Sequence, residues 1–539
     1  MIFTRLVRSV LTFIRTHNIS LFCTLVFCVL ILPINEHKAF SPQTTRDQFL
    51  AMYFLKCLFA ITFFGMCTFV ASFYRKVKQG DTTYRRWLKY SLIYFAIMLI
   101  VFLLIYPGHW VWDELNILNS VQHNNFDAWQ HYFTDVFYAF SLFLIPTGVS
   151  IVLVQIVFAS LVVGFVMSNV RELLQRKYLV NWLFIIFILP AVIINNFYPL
   201  RLTMYSYVEL LLICKLLLLH YRKFQVTNPF TELLALALLI TIVSFWRSEG
   251  IYYLLILPYL AYRLGIFKRN KGKLGPRPFI YSGAALGIML FGLVITVVTG
   301  DQKYNLPTFI NPLSVMLQQP LHGANVKSEL ATMNKTVNIQ MVKAAPDYTE
   351  TPSFWNGAVR ANYKQTFRQF IVAFAQLALQ NPGSYLHARY RTFLATNGIQ
   401  TKKMPIDIGM FSYEKYRMYP EAVRFLDQNS LATPLSPSLS RNVTEFLSFF
   451  NSKYQYNFWG HVFWDVIPVI LFVVILAIQR LFTRQYFWLF LTILVLLRVI
   501  LLFFSAPANY FMYYLPVYMS GLFLVGVALL LWIDKKQKT

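Results

Sequence analysis

Residues 74–106 read YRKVKQGDTTYRRWLKYSLIYFAIMLIVFLLIY, and residues 106–134 continue as YPGHWVWDELNILNSVQHNNFDAWQHYFT. The connector at the start sets Arg75, Lys76, Lys78, Arg85, Arg86 and Lys89 against a single acid, Asp81. The apolar run Tyr90–Tyr106 follows, and the loop beyond it contains no Lys or Arg. Cations hold loops between spans in the cytoplasm. The apolar run is therefore expected to cross a membrane outward, delivering residues 107–134 to the outer side.

The rest of the chain fits that frame. It is 57% hydrophobic and only 13% charged, more apolar surface than a soluble core hides. The net charge of +26 reads as cytoplasmic loops and contact with membrane lipids, and no nucleic-acid partner is expected. Cys23, Cys28, Cys57, Cys67 and Cys214 all fall in apolar runs, which offers neither a disulfide framework nor a zinc spacing. The N-terminus resembles the basic flank of a signal peptide, but no small-residue cleavage site follows. It is expected to be a basic amphipathic lead-in to an uncleaved first span.

Applying the charge rule loop by loop gives about twelve spans with both ends cytoplasmic. They lie near residues 19–34, 49–73, 90–106, 147–168, 179–194, 204–220, 231–245, 251–263, 279–299, 462–479, 486–504 and 513–533. Residues 133–146 are apolar but too short to cross, so they rest in the outer interface or dip back in. The expected fold is an all-α polytopic membrane protein in three parts. An N-terminal membrane domain, 1–299, carries about nine spans and the acidic outer loop 107–134. The polar stretch 300–460 forms an extracytoplasmic domain, and 461–539 forms a C-terminal membrane domain of about three spans.

Asp113 and Glu114 are the leading catalytic candidates. Neighbours on a helix point about 100° apart, so a division of labour is expected. One carboxylate acts on the substrate, while the other orients it or binds a cation. Trp110 and Trp112 beside them suggest partial desolvation, which raises a carboxylate pKa towards the range useful for proton transfer. Aromatic faces such as Trp112 also suit sugar rings, although a place in the interfacial belt is the plainer reading. His109, His123, His131 and Asp127 match no helical metal-ligand spacing and read as loop residues. A divalent cation at the carboxylates stays open, and no other cofactor is indicated.

Among the cations, Arg201 follows Pro199 in an outer loop, Arg247 sits in the turn WRSEG, and Arg498 lies inside a span. A guanidinium suits a phosphate because its planar fork stays charged. Each also has a structural alternative: Arg247 pairing with Glu249, or Arg498 pairing with Glu209 or Asp465. Lys215 is placed to snorkel. No P-loop, GxGxxG, GxSxG or HExxH motif is present, which removes support for nucleotide-driven and common hydrolase mechanisms.

At these residues the chain resembles the GT-C superfamily of membrane glycosyltransferases. The shared features are an Asp-Glu pair in the first large outer loop, a juxtamembrane segment after it, and many further spans. YPGHWVWDELNILNSVQ and VLVQIVFASLVV resemble more narrowly a bacterial family of that superfamily. Weaker likeness continues through LPAVIINNFYPLRLTMYS, FWRSEGIYYLLILP and ANYFMYYLPVYMSG. The resemblance implies a polyprenyl-phosphate-linked sugar as donor and a cell-envelope glycan or other hydroxyl as acceptor, with chemistry outside the cytoplasmic membrane. It implies that Asp113 is the base and Glu114 its partner, that Gln155 and His131 contact substrate, and that Arg247 or, in reserve, Arg201 meets the lipid phosphate. The family's His-Pro stands here as His131-Tyr132, and its Arg-Tyr as Met512-Tyr513. Other readings are an O-antigen-type polymerase or ligase, a lipid-linked-sugar transporter and a membrane scaffold. No repeat relates the halves of the chain, which weakens the transporter.

Overall fold

A computed structural model describes residues 16–126, 131–267, 277–299, 302–397, 420–431, 433–449 and 458–536. The basic lead-in before residue 16, Asp127 and Trp129 of the outer loop, and most of the basic loop Arg263–Arg277 lie outside them. The described residues are helical apart from loops and one isolated bridge between Val337 and Val359. Nine of their helices are long and apolar enough to cross a membrane, or ten if Phe458–Trp464 and Ile467–Phe482, bent by 42°, form one broken span.

Two more of the twelve expected spans are broken helices. Near 179–194, the helix Val180–Phe187 stops and a short helix, Pro190–Asn195, restarts. Pro190 has no N–H to continue the ladder. Near 251–263, a 3₁₀ run, Ser248–Leu255, leads into Ile256–Arg263. A 3₁₀ helix rises about 2.0 Å per residue against about 1.5 Å in an α-helix. Laid end to end those 16 residues would rise about 28 Å, but they are not among the helices long and apolar enough to cross a membrane.

The chain clusters into two compact units, one formed by Met1–Leu173, Asn196–Leu200 and Ile408–Arg441, the other by the remaining residues. The polar stretch 300–460 contributes to both.

In the first unit, Arg46–Lys78 is 33 residues long, about 50 Å at 1.5 Å per residue. Its ends are defined by charge and capping. Thr45 and Gln48 form a reciprocal capping box, Asp47 sits in the first turn, and Arg75, Lys76 and Lys78 in the last, each sign matching the helix dipole. Asp81 caps Thr82–Leu104 by accepting from the N–H groups of Thr83 and Tyr84. That helix packs closely on Val149–Leu173, because a Cβ at Gly164 would stand 2.0 Å from Ser91 Oγ and 2.6 Å from Trp87 O. Trp87 Nε1 donates to Leu161 O at 2.8 Å and Arg86 pairs with Glu172. The register of the pair is thus fixed at the basic end.

In the second unit, Arg201–Tyr221 is the central helix: 89% of its apolar window is buried, against 11% for Pro278–Val297 at the periphery. Residues 306–377 build a separate small core around Leu306, Ile310, Met316, Phe370 and Leu377. Arg389, itself buried, ties this region to the end of Tyr486–Ser505 by donating to the carbonyls of Phe503 and Ala506 at 2.7 and 2.9 Å.

From the loop charges, residues 107–134 are expected outside and the connector 74–89 inside. With the five native cysteines replaced by serine, a membrane-impermeant maleimide on intact cells should label Asn125→Cys and leave Gln79→Cys unlabelled until the cells are opened. Both positions are exposed. Labelling of both from outside would overturn the orientation.

Candidate active site

The Tyr-Pro-Gly turn has a structural reason. Tyr106 donates its hydroxyl to Ser430 O at 2.9 Å. Gly108 adopts φ +96° and a Cβ there would lie 2.9 Å from Phe197 O. A side chain would meet both strain and backbone, so glycine is required. His109 N–H then donates to that same Phe197 oxygen at 2.9 Å.

This contact is one of four. Between helices Pro190–Asn195 and Arg201–Tyr221 the chain leaves helical geometry over Asn196–Leu200, and its carbonyls need partners. Gln155 Nε2 takes Asn196 O at 2.9 Å and Tyr198 O at 2.6 Å; His109 N takes Phe197 O; Tyr138 Oη takes Pro199 O at 3.1 Å. Asn196 in turn donates to Tyr94 Oη at 2.8 Å. Gln155 is therefore a clamp on the backbone, fully buried.

The clamped turn launches the short helix Trp112–Gln122 with Asp113 and Glu114 in its first turn, where the dipole favours negative charge. The two carboxylates differ. Glu114 is completely buried and its Oε2 accepts from Val111 N–H at 3.1 Å, closing the helix start. Asp113 is half-buried and Trp112 exposed. A third carboxylate acts on the same tyrosine as these two. Asp135, buried on the helix Tyr132–Leu144, acts with Glu114 and Asp113 on Tyr138: burial first, then Glu114, Asp135 and Asp113 raise the Tyr138 pKa well above the usual phenol range. Asp135 and Tyr138 were not singled out from sequence. The available signal was an acid inside a short apolar segment, which is costly and commonly functional.

The histidines separate. His131 lies at φ +71° and its Nδ1 accepts from Phe133 N–H, capping Tyr132–Leu144. His123 is exposed, its Nδ1 2.8 Å from Asn119 O. His109 is buried with its ring 5.1 Å from that of Tyr198, and burial pulls its pKa down to about 4. Among the described residues no three His, Cys, Asp or Glu side chains gather as a metal-ligand set.

The candidate arginines belong to the second unit. Arg247 Nε and Nη2 donate to Glu249 at 3.0 and 2.5 Å, and its guanidinium lies 5.6 Å from the centre of the Tyr513 ring. Arg201 begins the central helix. Arg498, fully buried, pairs with Glu209 at 3.0 Å and also donates to Tyr205 Oη, while Tyr253 Oη donates to Glu209 Oε1 at 2.8 Å. Of the two partners weighed for Arg498, Glu209 is the one present. Lys215 pairs with Glu232 at 2.7 Å.

The chain matches no family model, no curated protein sequence and no solved structure.

His109 gives the site region a pH signature. Its folded pKa of about 4 lies below the ordinary 6.5, so the unfolded chain takes up a proton that the buried ring refuses. Its contribution is intact above pH 6.5 and is lost progressively towards pH 4, by roughly 3 kcal/mol at the limit. Melting of the detergent-solubilised protein at pH 7.5 and 4.5 should show a steeper fall for wild type than for His109→Gln. Equal slopes would reject the assignment.

Proposed function

We propose that this protein is a GT-C-type membrane glycosyltransferase that moves a sugar from a polyprenyl-phosphate donor to an acceptor hydroxyl of a cell-envelope glycan, on the outer side of the cytoplasmic membrane. The observation that carries the reading is the contrast at the start of Trp112–Gln122. Glu114 is buried and engaged with the backbone, while the adjacent Asp113 is half-buried at the same helix N-terminus. That is the division of labour a positioned base requires.

In the proposed reaction the acceptor hydroxyl gives its proton to the Asp113 carboxylate as its oxygen attacks the anomeric carbon. The bond from that carbon to the phosphate oxygen breaks, and polyprenyl phosphate departs with the electron pair. A positioned base contributes about 10²–10⁴-fold. Stabilising charge on the departing phosphate falls to a cation, Arg247 first and Arg201 in reserve, or to a divalent cation held by the carboxylates. Trp112, exposed beside Asp113, offers a face for a sugar ring, and His131 caps the next helix along the same loop. A donor confined to the bilayer explains why no nucleotide motif is needed.

Mass spectrometry of envelope glycans with and without the protein tests the class; an unchanged glycan profile would reject it. In cells lacking the wild-type protein, Asp113→Asn should lower transfer by about 10²–10⁴-fold without loss of expression. Glu114→Gln, which keeps an oxygen to accept from Val111 N–H, should lower it less. Near-normal transfer in Asp113→Asn would remove the base assignment.

The arginine role separates in the same assay. If Arg247 meets phosphate, Arg247→Lys should raise the donor concentration required, because the ammonium keeps the charge and loses the fork, and Arg247→Ala should nearly abolish turnover. Recovery of activity in Arg247→Ala combined with Glu249→Ala would reduce Arg247 to a structural ion pair and transfer the role to Arg201.

A further inference from the structure

At the end of the second unit that the loop charges assign to the cytoplasm, two grooves of about 560 and 610 Å³ adjoin. They share Tyr221, Gln485, Trp488 and Lys535 as a common ridge. The first groove runs along the spans Ile467–Phe482 and Phe511–Lys535, and its wall includes Phe472, Ile475, Leu529 and Trp532, each more than half exposed. Aromatic rings, among them Phe487 and Phe490, line the second.

Cations border both grooves, and the shared ridge carries Lys535. Arg480 and Lys535 border the first, Arg263, Arg484 and Lys535 the second, and neither lining contains an Asp or Glu. The neighbouring acid Asp534 is engaged elsewhere, accepting from the backbone N–H groups of Gln175 and Arg176 at 2.6 and 3.0 Å. Arg480 is held in place: its guanidinium lies 5.0 Å from the centre of the Trp488 ring and Nη1 donates to Gln485 Oε1 at 2.5 Å. Its Nε–H is buried with no acceptor among the described residues.

We propose that these grooves bind one anionic glycerophospholipid of the cytoplasmic leaflet, its phosphate at the junction of Arg480, Arg484 and Lys535 and one acyl chain in each groove. Three observations select this occupant. Several cations with no carboxylate among them favour an anion. A zwitterionic headgroup would bring its own ammonium against those cations. Exposed apolar walls on membrane-spanning helices suit acyl chains and exclude a water-soluble phosphate as the full ligand. This site lies apart from the residues of the proposed glycosyl transfer and stands whether or not that reading holds.

Native mass spectrometry of the full-length protein in detergent, with phosphatidylglycerol or phosphatidylethanolamine added, tests the proposal. Wild type should retain phosphatidylglycerol in preference to phosphatidylethanolamine. Arg484→Gln with Lys535→Gln alters two exposed side chains, so the fold should survive, and should weaken phosphatidylglycerol retention on the order of twentyfold. Adding Arg480→Gln should weaken it further. Equal retention of the two lipids by wild type, or undiminished phosphatidylglycerol retention by a folded double variant, would overturn it.

Discussion

Backbone carbonyls removed from water must be paired by the protein, and in this chain that requirement bears on the position of the candidate base. Asn196–Leu200 leaves helical geometry among buried residues, and each unpaired carbonyl there would cost about 1–3 kcal/mol. Gln155, His109 and Tyr138 supply the donors. Because one donor is the His109 N–H, the pairing also fixes the turn of residues 106–111. That turn sets where Trp112–Gln122 begins, and so where Asp113 and Glu114 stand. The catalytic candidate thus inherits its geometry from a backbone problem in a different part of the sequence.

The second unit applies the same constraint to charge. Arg498 on Tyr486–Ser505 is ion-paired with Glu209 on Arg201–Tyr221, and Tyr253 on the 3₁₀ segment donates a hydrogen bond to the same Glu209. A buried pair of this kind adds little net stability, because desolvation offsets the attraction, yet removing one partner costs about 3–5 kcal/mol. Its effect is to tie three elements in one register. Gly250 shows how tight that register is, since a Cβ there would lie 2.0 Å from Val243 O and 2.8 Å from Tyr205 Oη. The long 3₁₀ run is held in this close contact.

Much of this was legible in the sequence because it rests on local composition. Apolar runs identify the nine or ten membrane-capable helices among the described residues but overcount them at twelve, the break at Pro190 inside the expected span 179–194 was not read from the sequence, and the sparse charges limit the partners of Arg247 and Arg498 to acids that the structure supplies. What was not legible depends on contacts between distant residues. Nothing near Gln155 indicates that its amide closes on carbonyls some 40 positions away. Asp113 and Glu114 are adjacent and chemically alike, so only packing distinguishes the buried cap from the half-exposed acid. The influence of Asp135 on Tyr138 arises through the fold of Tyr132–Leu144, and the 3₁₀ geometry of Ser248–Leu255 comes from its packing rather than from a recognisable motif.

That difference between Asp113 and Glu114 extends to the arginines. A buried group bonded to the backbone holds structure, whereas a group that acts on substrate must be reachable by it. Glu114 is buried and closes a helix start through Oε2, and Asp113 beside it is half-buried. A guanidinium has five N–H donors, and Glu249 engages Arg247 through Nε and Nη2. The ion pair therefore uses one edge of the fork and sets the direction of the Nη1 edge. In the proposed reaction this reconciles the two roles weighed for Arg247: the carboxylate orients the fork, and the remaining donors can meet phosphate oxygens without the pair first having to break.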